Sequence, residues 1–122
     1  MTVFVSDRYP PVRERLVSMI SAIAGIEIIG RTEDAGDMPE SVQRLGPDMV
    51  VMDVRPGVME LLAKLQQIRQ GKNVPVFIVL ADSPSFSYRE KLCNGGADFV
   101  FHRSNGFQNL LSLMNEMARR RS

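Results

Sequence analysis

The sequence predicts an α/β protein of three layers, a five-stranded parallel sheet covered by helices on both faces. Three observations predict it. Short apolar runs alternate five times with longer segments of helical period. Two middle runs are continuous, apolar and β-branched, as strands covered on both faces must be. The connections are short, which favours neighbouring elements packing on one another. A chain of 122 residues, 44% of them hydrophobic, suits one domain with one core.

The first strand is read at Thr2 to Val5 (TVFV). The first helix starts after Pro10-Pro11 and runs to about Ala24, with Val12, Leu16, Met19, Ile20 and Ile23 forming one apolar stripe. Proline suits a first helical turn, where the amide it lacks would have no helical partner, and Gly25 suits the stop. The second strand is Glu27 to Ile29, and a short second helix fits Met38 to Leu45, ended by Gly46. The third strand is Met49 to Met52 (MVVM). The third helix, Val58 to about Gln70, carries Val58, Leu61, Leu62, Leu65 and Ile68 on one side. The fourth strand is Val76 to Leu80 (VFIVL), and the fourth helix runs from Phe86 to Asn94, stopping at Gly95-Gly96. The fifth strand is Phe99 to Phe101. The last helix, Gly106 to Arg120, presents Phe107, Leu110, Leu111, Met114, Met117 and Ala118 on one face, its closing arginines complementing the helix dipole. With right-handed crossovers, the commonest arrangement of five such strands is the doubly wound, flavodoxin-like order 2-1-3-4-5.

Composition excludes several classes. Fifteen basic against fourteen acidic side chains give a net charge of +1, so no global field attracts nucleic acid. No apolar run is long enough to span a membrane, and MTVFVSDRYPP lacks the pattern of a signal peptide. The single Cys cannot form an internal disulfide, and a cytoplasmic location is the simplest expectation.

In a sheet of this kind, chemistry lies at the carboxyl ends of the strands. Those ends carry Ser6-Asp7-Arg8, Asp53-Val54-Arg55, Ala81-Asp82-Ser83 and His102-Arg103. Asp7 and Asp53 follow strands that are neighbours in this order. Two carboxylates there repel unless a cation such as Mg²⁺ sits between them. The alternative is local: Asp7 caps the first helix and Asp53 ends a strand.

Several segments together resemble a response-regulator receiver domain of two-component signalling, with its CheY-like fold. VFVSDRYPPVRERL resembles that family's first strand and helix start, and IEIIGRTEDAGD its second strand and loop. GPDMVVMDVRPG resembles the phosphoacceptor segment, VPVFIVLADS the fourth strand and GGADFVFHRS the fifth. The resemblance implies one receiver domain over residues 1–122, in which Asp53 is the aspartate phosphorylated by a histidine kinase. It implies that Asp7, Asp53 and the backbone carbonyl of Arg55 hold Mg²⁺ against the phosphoryl group, by the usual logic of positioning and charge neutralisation.

The sequence departs from the family pattern around this site. Arg8 stands where a second acidic residue is usual, and Ala81 where a hydroxyl residue ends the fourth strand. The lysine after the fifth strand is replaced by Arg103, or by His102 if one residue is gapped; the loop after Asp53 is one residue short. Arg8 and Arg103 together would cancel Asp7 and Asp53, so Mg²⁺ binding is expected to be weak. One unit charge at about 4 Å is worth roughly 4 kcal/mol at an effective dielectric near 20.

Three functions follow as expectations. The first is an atypical receiver acting as a protein-interaction module, with phosphorylation at Asp53 weak or absent and Arg8 or Arg103 fixing one conformation. The second is an ordinary phosphoacceptor receiver switched by a histidine kinase. The third, a flavodoxin-like ligand binder, lacks support: Pro10 and Pro11 delete amide donors from the first loop, and no glycine-rich fingerprint is present. No enzymatic turnover is expected beyond phosphoacceptor chemistry on Asp53 itself. By resemblance, the partner is a histidine kinase or another signalling protein, and the fourth helix, fifth strand and fifth helix form the partner or homodimer surface. Of the remaining residues, Cys93 is read as an inert half-buried thiol and His102 as positional. Met114 and Met117 are read as core or partner surface, and Ser83 to Tyr88 as a loop at the active edge.

Overall fold

The computed structural model describes residues 1–32, 38–54, 58–71, 74–81, 86–103 and 106–121. Strands and helices alternate as β1 (Thr2–Ser6), α1 (Pro10–Ser21), β2 (Glu27–Thr32), α2 (Met38–Leu45), β3 (Met49–Val54), α3 (Val58–Arg69), β4 (Val76–Ala81), α4 (Phe86–Asn94), β5 (Phe99–His102) and α5 (Phe107–Arg121). The strands lie in the order β2-β1-β3-β4-β5, and every pairing is parallel. The expected fold class and strand order are those observed.

Alternation along the strands divides the core in two. Phe4, Val50, Met52, Phe77, Val79 and Ala81 face one side, where they meet Met38 and Val42 of α2, Leu65 and Ile68 of α3, and Leu92 of α4. Val3, Val5, Met49, Val51, Ile78 and Leu80 face the other, against Leu16 and Ile20 of α1 and Leu110 and Met114 of α5. Met49 to Met52 and Phe77 to Ala81 are all essentially inaccessible, as their uninterrupted apolar sequence requires.

The opposite, amino-terminal edge is closed by two aspartates. Asp48 accepts the Thr2 amide at 2.8 Å, and Asp98 accepts the Phe77 amide at 2.8 Å. Each satisfies a strand-end N–H that the ladder leaves over. These are the aspartates of the GPD and GAD segments.

Several boundaries differ from expectation. α1 includes both prolines at its start and ends at Ser21 instead of Ala24, because the chain turns through Gly25 at φ +85°. β2 continues three residues past Ile29, since Gly30, Arg31 and Thr32 pair with Phe4, Val5 and Ser6 beyond an irregularity at Val3/Phe4. β3 reaches Val54 and β4 reaches Ala81, so Asp53 lies within a strand. Among the described residues, no helix is long and apolar enough to cross a membrane.

Candidate functional site

β1, β3, β4 and β5 finish at one edge. Ser6 pairs with Met52, Asp53 with Leu80, Val54 with Ala81, and Ala81 with His102. The register therefore gathers Asp7, Asp53, Ala81, His102 and Arg103 at the carboxyl end of the sheet.

Asp7 is only 2% exposed. Its Oδ1 accepts the Tyr9 amide at 2.9 Å, its own amide donates to the Thr32 carbonyl at 3.0 Å, and its carbonyl accepts Nη1 of Arg13 at 2.9 Å. Asp7 does not cap α1, as the local reading had it: the N-cap is Tyr9, with no side-chain cap bond, and the Asp7 carboxylate instead shapes the turn before the helix. Those bonds also hold its carboxylate at the edge beside β3.

Asp53 follows Met49 and Val51 on the face that meets α1 and α5. Its side chain is 2% exposed, and Nη2 of Arg103 donates to its Oδ1 in an ion pair; the Arg103 side chain is 15% exposed. β3 and β5 are not neighbours, so the arginine bridges two strand spacings, about 10 Å, past the end of β4. Its main chain is fixed as well, because the Arg103 amide donates to the Ala81 carbonyl at 2.9 Å. Burial pushes the guanidinium below its ordinary pKa, and the Asp7 charge works in the opposite direction.

Beside Arg103, Gly106 packs directly on the end of β5. Gly106 is buried, and its amide donates to the His102 carbonyl at 2.8 Å. A Cβ at Gly106 would come within 2.6 Å of that carbonyl oxygen and 2.8 Å of the His102 nitrogen.

The other expected site residues fall as follows. Ala81 is buried at the end of β4, and His102 ends β5 beside it, partly exposed. Arg103, the residue after His102, is the one that reaches Asp53. Arg8, expected to help neutralise the corner, is exposed and forms no ion pair among the described residues. Arg55 and the segment from Asp82 to Ser85 lie outside the described residues, so the proposed carbonyl ligand and most of the fourth-strand loop do too. Cys93, expected half-buried, is exposed, and Met114 is fully buried core with Met117 packed beside it. Arg13 and Gly106 were not anticipated. Arg13 is six residues from Asp7, a separation with no motif attached, whereas a glycine at a helix start was a usable signal.

The chain is similar to known signalling proteins. It is 29% identical over 115 residues to a protein-glutamate methylesterase/protein-glutamine glutaminase of Methanococcoides burtonii, covering 93% of this chain but 32% of that protein. The signal receiver domain of NarL from Mycobacterium tuberculosis superposes with a TM-score of 0.83 at 18% identity, over 97% of this chain and 95% of that one. The response regulator domain of Thermotoga maritima CheB gives 0.80 at 19% identity, over 98% and 94%. No family model matches the sequence.

The fold is that of a signal receiver: a five-stranded parallel sheet with its acidic pair at the carboxyl edge. The chain shares that receiver fold with these solved structures, and it spans about a third of the length of the curated relatives it matches.

Proposed function

We propose that this receiver acts as a protein-interaction module in two-component signalling, with phosphorylation at Asp53 weak or absent. The ion pair from Arg103 to Asp53 Oδ1 carries the reading. Phosphoryl transfer to an aspartate needs a free carboxylate oxygen in line with phosphorus and a cation to neutralise the equatorial oxygens. Here the carboxylate's charge and one of its oxygens are engaged by a guanidinium from within the chain. That donor set is a poor fit for Mg²⁺. Asp7 Oδ1 also takes the Tyr9 amide, and no group of three or more His, Cys, Asp or Glu side chains is placed to hold a metal among the described residues.

In this reading the domain presents one fixed surface to its partner, a histidine kinase or another signalling protein. The face formed by α4, β5 and α5 is the one assigned to that partner or to a second copy. The domain performs no turnover of its own, and the methylesterase activity named for its relatives is not attributed to it.

The test is mass spectrometry after exposure to a small phosphodonor, with and without Mg²⁺, on wild type and Asp53→Asn. Little or no added phosphoryl mass on wild type is expected. Rapid Mg²⁺-dependent labelling of wild type, lost in Asp53→Asn, would instead establish an ordinary phosphoacceptor that opens its ion pair to react.

A further inference from the structure

Asp7 and the Asp53 side chain are each 2% exposed; Asp7 follows β1, and Asp53 is the last residue but one of the neighbouring β3. Two buried carboxylates so placed lose hydration and repel each other unless a cation meets them. Among the described residues, Arg103 is the cation that meets the Asp53 carboxylate, while Arg13 donates to the Asp7 carbonyl. Arg103 is fixed through its amide to β4 and through its guanidinium to β3, and the charge of Asp7 from β1 acts on the same guanidinium. Three strand ends and the start of the first loop thus converge on a single side chain. Gly106 packs against the backbone of His102, the residue before Arg103.

We propose that Arg103 is a covalently attached substitute for a divalent cation, and that Asp7 and Asp53 form a latent divalent-cation site filled by its guanidinium. The inference rests on the ion pair that also carries the interaction-module reading, and it deepens that reading by naming what holds the edge in one state. It makes a separate demand. Removing the positive charge at position 103, with both carboxylates kept, must turn a cation-indifferent edge into one that binds and is stabilised by a hard divalent ion.

The experiment uses the full chain as wild type, Arg103→Gln, Arg103→Ala, and Asp53→Asn combined with Arg103→Gln. Mn²⁺ binding is followed by paramagnetic resonance of the free ion, and thermal unfolding is followed in MgCl₂ against EDTA with ionic strength matched. Wild type is expected to unfold at the same temperature in both solutions. Arg103→Gln is expected to bind Mn²⁺ at least about tenfold more tightly than wild type, a modest fraction of what one removed like charge can contribute at close range. Its midpoint should rise by several degrees in MgCl₂, and both effects should vanish in the double variant. Should Arg103→Gln and Arg103→Ala be unfolded without metal, recovery of helical circular dichroism on adding MnCl₂ but not NaCl supports the proposal, and no recovery overturns it. Equal Mn²⁺ affinity in wild type and Arg103→Gln, or a gain that survives Asp53→Asn, also overturns it. Phosphodonor labelling of wild type would defeat the interaction-module reading without touching these binding results, so the two failures are distinguishable.

Discussion

Asp48 and Thr2 are joined by four hydrogen bonds across the amino-terminal edge of the sheet, one of them from the Asp48 amide to the Thr2 carbonyl at 3.0 Å. Asp48 Oδ2 accepts the Thr2 amide at 2.8 Å and the Thr2 hydroxyl at 3.1 Å, while the Asp48 amide donates to that hydroxyl at 3.0 Å. A carboxylate accepting two donors in a half-buried setting is worth more than a neutral bond. Asp48→Ala should therefore cost about 2 kcal/mol, and Asp48→Asn about half as much because an acceptor remains. Urea denaturation checks this, with the midpoint moving and the slope unchanged.

Gly30 leaves no room for a side chain. A Cβ there would meet the Phe4 ring at 2.7 and 2.8 Å and Leu45 at 2.9 Å, and Phe4 is itself core. Gly30→Ala should destabilise by about 1–3 kcal/mol through overpacking. Its thermal midpoint should fall without any response to MgCl₂, since β2 is remote from Arg103.

Gly106→Ala makes a contrasting pair with that variant. The obstructing atoms at Gly106 are backbone of His102 and Cβ of Phe101, at 2.6 to 2.9 Å, and they cannot swing aside. The substitution should cost about 1–3 kcal/mol and should displace His102 and with it Arg103. Gly106→Ala is therefore expected to gain measurable Mn²⁺ binding where Gly30→Ala gains none.

At the far end of α5, Glu116 accepts hydrogen bonds from Arg119 at 2.6 Å and Arg120 at 3.1 Å. The Arg119 hydrogen bond first, then its charge and the contacts from Arg120, hold the Glu116 carboxyl below its ordinary value near 4.5. A carboxyl whose folded pKa is lowered binds fewer protons when folded, so its stabilising contribution is present above that ordinary value and is lost as pH falls below it. Replacing both arginines with alanine should raise the Glu116 midpoint in an NMR titration. It should leave stability at neutral pH nearly unchanged, because the pair is exposed and screened.

The fold was legible because its signals are local and repeated: the apolar runs became β3 and β4, and the stripe through Leu16 and Ile20 became the buried side of α1. Boundaries were less so. Gly30, Arg31 and Thr32 read as loop, yet pairing with β1 extends β2 through them, and that pairing is a tertiary fact. At the edge, strand order placed Asp7 beside Asp53, and Arg103 entered through the resemblance, with His102 as the alternative. The sequence could not tell Arg8 from Arg103, because both are arginines next to the corner. The difference is contact: Arg8 is exposed, while Arg103 reaches Asp53 past the end of β4. Nor could it show that the PD and GAD aspartates cap strand amides.

The bridge from Arg103 to Asp53 also has a kinetic meaning. A dissolved ion occupies such a site only as its concentration and affinity allow, and it exchanges. A guanidinium tethered by its own backbone has an effective concentration fixed by the chain itself, and dilution or chelation cannot lower it. An edge built this way has no ionic memory of its surroundings. A partner gripping the side of the domain that carries His102 and Gly106 would act on Asp53 through Arg103.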